Sequence, residues 1–285
     1  MLPDGTRNAF HLQRLKDKLG NRSNASAEIE LHGAWARLVG EEGRGVRTII
    51  EMVNHTRLDC VLGTAAMMRA AVEQATWHAA HRSAFGHLLA DQPLMQNVLA
   101  DLCVESEAAT VTALRLARAY DDPAEAPFRR LATAVCKYWI CKRGPGHAAE
   151  ALECVGGNGY VEESGLPRIY REQPLLSIWE GSGNVIALDC LRAMRRQPES
   201  LEAFLAELEP DLKPPVLREL ARVDERSARR LVEAMALALQ GSLLVRHGDP
   251  AVADAFLTRE GVAYGTLPDV VDAVRIVERH RPRAE

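Results

Sequence analysis

The stretch from about Val46 to His81 constrains this chain most. It holds no proline, and Ile49, Val53, Leu58, Leu62 and Ala66 recur at four- to five-residue intervals. That is the spacing of one helical face, and a helix of this length spans roughly 50 Å. Three more helices follow. Pro93 suits the first turn of a second helix, which runs to about Tyr120 and is broken by Asp121-Asp122-Pro123. A third covers about Ala126 to Val155, with Gly144-Pro145-Gly146 expected to kink or interrupt it. A fourth starts near Asn184 and ends at about Met194. Four helices with short connections predict a mainly α chain built on an antiparallel four-helix bundle, here residues 42–195.

The two flanks read differently. Residues 1–41 carry turn signals at Asp4-Gly5 and Gly20-Asn21. Glu28-Ile29-Glu30-Leu31 alternates as a half-buried strand does, and Trp35 to Gly40 reads as another short strand. So few strands are marginal as a sheet, so this piece reads as the end of a β-domain. Residues 196–285 read as a helical extension. Pro198-Glu199-Ser200 opens a short helix, Pro214-Pro215 one of about 25 residues, Asp249-Pro250 a third and Pro268 the last.

A chemical signal lies in two short runs. Glu153-Cys154-Val155-Gly156-Gly157-Asn158-Gly159-Tyr160 ends a helical stretch in a glycine-rich turn. Glycines allow positive φ and close approach of the backbone to a flat ligand. Ser177-Ile178-Trp179-Glu180-Gly181-Ser182-Gly183-Asn184 sets a carboxylate beside an indole, before a turn that starts a new helix. A carboxylate in aromatic surroundings tends towards a raised pKa, as a proton-abstracting base requires. Ser182 or Asn184 can cap the next helix or donate to a ligand. The plain alternative is a helix-turn-helix in which Glu180 favours the positive end of the following helix.

These runs resemble the signature of the acyl-CoA dehydrogenase family, flavoproteins that oxidise acyl thioesters. Gly156 to Arg192 is especially similar to the AidB-like, alkylation-response branch, whose members carry an extra C-terminal helical segment. The resemblance extends from about Leu2 to about Arg195. It implies FAD as cofactor, an acyl-CoA substrate and α,β-dehydrogenation, with Glu180 in the position of the family's base. Some relatives instead place the base just before an arginine on the first long helix. Here that arginine resembles Arg57, preceded by Thr56, which cannot serve. Arg57 is then a candidate for setting the electrostatics around Glu180.

The cofactor residues implied by the resemblance are Arg82, Phe85 and Gly86, in a motif where the arginine meets flavin pyrophosphate across a subunit interface. Guanidinium pairs bidentately with phosphate oxygens. Gly156 and Gly157 would approach the adenosine part. Glu153 departs from the family's usual glutamine: its carboxylate repels phosphate but can accept from a ribose hydroxyl. Ser182 and Asn184 replace longer Thr and Gln. The basic loop Lys16 to Ser23 resembles one near the acyl-CoA entry, or is a solvated turn.

Family members open with an all-helical domain and a full β-domain. The resemblance therefore implies a chain starting inside the β-domain, with little activity alone. It also implies a homotetramer, a dimer of dimers, and admits an electron-accepting flavoprotein as partner. The alternatives are a nucleic-acid-binding, alkylation-protection protein and a non-catalytic remnant. The net charge of −4 gives no global attraction to nucleic acid. The extension holds 13 basic against 16 acidic side chains, although Arg222, Arg226, Arg229 and Arg230 lie at near-helical spacing. The six cysteines include no CxxC pair and no zinc-ligand cluster, as expected for reduced core residues of a cytoplasmic protein. No signal peptide and no apolar run of about 18 residues is present.

Overall fold

The computed structural model describes residues 1–261, 263–268 and 271–282. The chain is mainly α. Its residues divide into two compact units, 1–55 and 56–285.

In the first unit, strands β1 (Phe10–Leu15) and β2 (Ala27–Leu31) pair antiparallel, with an irregularity between Leu12 and Arg14. Trp35 to Gly40 is not a strand. The Asn8 side chain takes both main-chain groups of Trp35: Oδ1 accepts from its N–H at 3.0 Å and Nδ2 donates to its carbonyl at 2.9 Å. A side chain thus replaces the ladder a strand would need.

Helix α1 covers Gly45–His81. Next come a two-residue hairpin, β3 (Ser83–Ala84) with β4 (His87–Leu88), then α2 (Pro93–Asp121) and α3 (Ala126–Cys154). The Gly144-Pro145-Gly146 run does not interrupt α3. Gly144 lies where α4 (Leu166–Ile178) crosses, and a Cβ there would sit 2.2 Å from Gln173 Oε1. The missing side chain admits α4, and packing outweighs the one hydrogen bond Pro145 forfeits. Helix α4 is an additional element, beside α5 (Gly183–Arg196).

The extension consists of α6 (Pro198–Ala206), α7 (Lys213–Leu220), α8 (Ala228–His247), α9 (Pro250–Thr258) and α10 (Ala273–His280). The 25-residue helix expected from Pro214 is two helices. Between them Asp224 and Ser227 bond each other: Asp224 N–H donates to Ser227 Oγ at 2.9 Å and Ser227 N–H to Asp224 Oδ1 at 2.8 Å. Such local bonds compete with the helix ladder. The last helix starts at Ala273 rather than Pro268, its first turn capped by Asp272, whose carboxylate accepts from Arg275 N–H. Asp269 and Val270 lie outside the described residues.

The extension shares the bundle's core. One apolar cluster joins Met68, Leu116, Leu131 and Ile186 to Phe204 and Met235; a second joins Leu99 and Leu102 to Leu244, Val252 and Ile276. Phe204 stacks on Phe128 of α3, ring centroids 6.2 Å apart. Polar anchors add to this. Asn97 exchanges two hydrogen bonds with the main chain of Leu267, and Gly265 N–H donates to Asp101. Phe204→Ala should cost about 3–5 kcal/mol. Because bundle and extension share core residues, residues 56–285 should unfold in urea as one transition. Far-UV circular dichroism and tryptophan fluorescence should give coincident midpoints.

Candidate functional site

The predicted site residues fall into two groups. The first surrounds the end of α4. That helix stops at Trp179, whose N–H donates to Leu175 carbonyl. Glu180 then adopts a left-handed backbone, φ +57°, and Gly181 follows at φ +107°. A left-handed non-glycine residue costs of order 1–2 kcal/mol, so something must hold this turn. Gly181 is required for a second reason: a Cβ there would lie 3.2 Å from Val185 and Ile186.

Two cations hold the turn. Arg57 Nε donates to the Glu180 carbonyl at 3.0 Å. Lys137 of α3, 1% exposed, donates from Nζ to the carbonyls of Ser177 at 3.1 Å and Gly181 at 2.5 Å. The Ser177 carbonyl lies in the last turn of α4, where the helix dipole is negative and cations are favoured. Burial pushes the Lys137 amine below its ordinary pKa, partly opposed by the surrounding thiols and carboxylate. Neither Lys137 nor Asp189 is singled out by motif. For Lys137 the only signal is a lone charge inside the run Ala134-Val135-Cys136-Lys137-Tyr138.

Arg57 does not bond the Glu180 carboxylate. It reaches that residue through its carbonyl and pairs its charge elsewhere, with Asp189 of α5 at 2.9 Å. Arg130 of α3 takes the other Asp189 oxygen at 2.9 Å. Burial pushes the Asp189 carboxyl up, but the hydrogen bond and charge of Arg130, with Arg57, outweigh it and hold it below the usual carboxylate range. Glu180 is half-buried and its neighbour Trp179 exposed, leaving the carboxylate side of the turn open in this chain.

The second group lies around the far end of α1. Arg82, Glu153, Gly156 and Gly157 line one cavity of about 450 Å³ with His78 and Asn158. Gly156 has φ +67°, and a Cβ on either glycine would meet nothing within 4 Å. A flat group can therefore lie against this backbone. The Arg82 guanidinium forms no ion pair among the described residues. Phe85, 94% exposed at φ +55°, stands out from the β3–β4 hairpin with Gly86 at φ +84°. Arg57 and Arg82 are separated by 25 residues of sequence, or roughly 37 Å along α1.

Other predicted residues are committed within the chain. Ser182 precedes α5 without a side-chain cap, and Asn184 Oδ1 accepts from Arg229 Nε at 2.9 Å. Arg222 and Arg230 both pair with Glu219. Three of the four arginines of the candidate nucleic-acid patch thus already have partners. In the 16–23 loop, Lys18 Nζ donates to the carbonyls of Asn21 and Asn24, and Arg22 pairs with Asp17. That supports the solvated-turn reading. All six cysteines are free and buried; burial pushes the thiols up, those of Cys136, Cys141 and Cys154 to about 12. Among the described residues no helix is long and apolar enough to cross a membrane.

Asp189→Asn would leave two guanidiniums without their anion, at a cost of about 3–5 kcal/mol. The sign with pH follows from the lowered pKa. The carboxylate's contribution is complete above the unfolded value of 3.8 and is lost as pH falls through the lower folded value. The difference in urea midpoint between parent and variant should be full at pH 7 and shrink below about pH 4.

The chain resembles known proteins over most of its length. The family model of the acyl-CoA dehydrogenase C-terminal domain matches residues 43–194. The putative acyl-CoA dehydrogenase AidB of Escherichia coli (strain K12) is 44% identical over 279 residues, 92% of this chain and 51% of that protein. Among solved structures, the apo form of Bd2924 superposes with a TM-score of 0.80 at 30% identity, covering 86% of this chain and 51% of that one. Caenorhabditis elegans ACDH-11, solved in complex with C11-CoA, gives 0.79 at 27% identity, covering 97% and 50%. The chain spans about half the length of these relatives. With the family model matching over the bundle and the same helical arrangement in the superposed structures, the chain belongs to the acyl-CoA dehydrogenase family.

Proposed function

We propose that this chain is the helical half of an FAD-dependent acyl-CoA dehydrogenase, an oxidoreductase that introduces a double bond between Cα and Cβ of an acyl-CoA thioester. In this reading residues 1–41 end the β-domain, 42–195 are the bundle and 196–285 the AidB-like extension. The observation that carries it is the Glu180 turn: a left-handed carboxylate residue whose flanking carbonyls are fixed by Arg57 and Lys137.

Glu180 takes the α-proton. The α-carbon is weakly acidic, so its base must be held close and shielded from water. Arg57 restrains the base through its carbonyl, and the Asp189 carboxylate offsets the Arg57 charge. FAD, when bound, accepts the β-hydride. The family relation supports this cofactor, and three features of the chain fit it: the open glycine backbone at Gly156 and Gly157, the unpaired Arg82 for the pyrophosphate, and the exposed Phe85 to pack beside the cofactor. Glu153 fits a ribose hydroxyl and not a phosphate. The acyl-CoA substrate class is supported by the C11-CoA bound to ACDH-11. An electron-accepting flavoprotein would complete the redox cycle, and reduced thiols suit the cytoplasm.

The roughly 37 Å between Arg57 and Arg82 is too far for one flavin to serve both ends of α1. The two groups therefore address different cofactors, and the Arg82 group meets that of a second copy. This supports self-association, in the family's dimer-of-dimers form. Sedimentation should give an assembly larger than the monomer, and a monomer at high concentration would count against the reading.

The central test is the flavin. Purified protein titrated with FAD should develop a saturable flavin spectrum. Arg82→Ala should weaken that binding by about ten- to hundredfold, the loss of a charge-assisted contact. In a full-length protein containing these residues, Glu180→Gln should leave the flavin spectrum intact and lower acyl-CoA-dependent dye reduction by at least about a hundredfold. Undiminished turnover in Glu180→Gln would remove Glu180 as the base, leaving it a helix-dipole carboxylate. Absence of any saturable flavin spectrum would overturn the reading itself.

A further inference from the structure

Lys137 is among the largest fully buried side chains of the described residues. A buried ammonium without hydrogen bonds costs several kcal/mol, so its presence in an apolar helix calls for a local reason. Its Nζ donates to main-chain oxygens, those of Ser177 and Gly181, and these bracket Glu180. Arg57 takes the carbonyl of Glu180 itself. Three successive anchor points of one turn are thereby tied to α1 and α3, the two helices that supply the cations. An apolar residue at 137 would still fill the core, but the carbonyls of Ser177 and Gly181 would lose their donor.

The backbone at this point explains why a donor is needed. Glu180 occupies the left-handed region without being glycine or asparagine. Such strain persists only where the surroundings over-determine it. The geometry of the neighbouring residues cannot supply this alone: Ser182 makes no capping bond to α5, and the N–H that closes α4, that of Trp179, reaches back to the Leu175 carbonyl rather than into the turn. Rotation of the Glu180 φ towards an ordinary value would swing the Gly181 carbonyl off Nζ and re-aim the Glu180 side chain.

We infer that Lys137 is a positioning residue for Glu180: by holding the carbonyls of Ser177 and Gly181, it fixes the left-handed turn that aims the Glu180 carboxylate. Its consequence for proton abstraction rests on the dehydrogenase reading; the clamp on the turn does not.

The test uses Lys137→Met, which keeps length and bulk but removes the donors, and Lys137→Gln, which keeps a donor on a shorter stem. Hydrogen exchange read by mass spectrometry on peptides spanning 176–186 reports the turn; the urea midpoint reports the whole fold. In Lys137→Met, exchange in 176–186 should accelerate by about tenfold or more, while core peptides of α2 and α8 exchange as in the parent. Lys137→Gln should fall between Met and parent, and it decides alone if Lys137→Met does not fold. Exchange in 176–186 that is unchanged, or that rises equally in every peptide, overturns the clamp. In acyl-CoA-dependent dye reduction by a full-length protein containing these residues, Lys137→Met should lower kcat by about tenfold or more with KM within about twofold. Added Arg82→Ala should change flavin affinity and leave that kcat deficit in place. Normal kcat in Lys137→Met overturns the positioning role. If the full-length parent shows neither flavin uptake nor turnover, the functional reading fails, and hydrogen exchange alone decides whether Lys137 holds the turn.

Discussion

Asp189 is the charge on which the ordered part of the site depends. It is a nearly buried carboxylate on α5 that receives Arg57 from α1 and Arg130 from α3. Three helices therefore meet at one anion. Two guanidiniums and one carboxylate would be costly in an apolar core if left unpaired. Paired, they fix the rotamer of Arg57, so that another of its donors, Nε, points at the Glu180 carbonyl. The ion pair contributes little to stability by itself, because desolvation offsets most of the attraction. Its value is geometric: a rigid guanidinium fork transmits the position of α5 to the turn at the end of α4.

A second buried cluster does for the extension what Asp189 does for the bundle. Arg143 of α3 grips Glu105 of α2 at 2.5 and 2.8 Å, and Arg259 reaches both Glu105 and Asp101. Burial pushes Glu105 up, yet the hydrogen bond and charge of Arg143 win and bring it to about 2. Asp101 has the opposite balance: burial dominates over Arg259, and its carboxyl rises to about 6. The two carboxylates differ because only Glu105 has a bidentate partner. This cluster anchors the chain beyond α9 on the bundle, alongside the apolar contacts of Phe204 and Met235.

Much of this was legible in the sequence, for identifiable reasons. Helices α1, α2, α3 and α5 have long periodic faces, and Pro93 and Asp121-Asp122-Pro123 punctuate them. Helix α4 was not, because Gly165, Pro167 and Pro174 disguise it. Pro167 sits in its first turn, where a missing N–H costs nothing, and Pro174 is carried by packing against α3. The break between α7 and α8 holds no glycine or proline. It depends on reciprocal Asp224–Ser227 bonds, which no periodicity reports. The motifs located the Glu180 turn and the Arg82 cavity, but not what holds them. Lys137 acts from α3, 43 residues before Glu180, and Asp189 acts on the turn only through Arg57 of α1, so only the fold brings them to bear on Glu180.

The arrangement along α1 carries the last step. One helix carries Arg57, tied to the Glu180 turn, and ends just before Arg82, beside the open glycine backbone. A helix of this length changes little under load, so the spacing between the two ends is fixed. On the proposed reading each chain would offer one chemical end and one phosphate-binding end, too far apart for a single flavin to join. In the proposed symmetric pair, an isologous interface would bring the first end of one copy to the second end of the other, and would do so twice. The exposed Phe85 and the unpaired Arg82, poorly explained in a lone chain, are the groups such an interface would cover. The same rigid α1 that buries the bundle core would thereby set the register between a base and a cofactor-binding loop contributed by different copies.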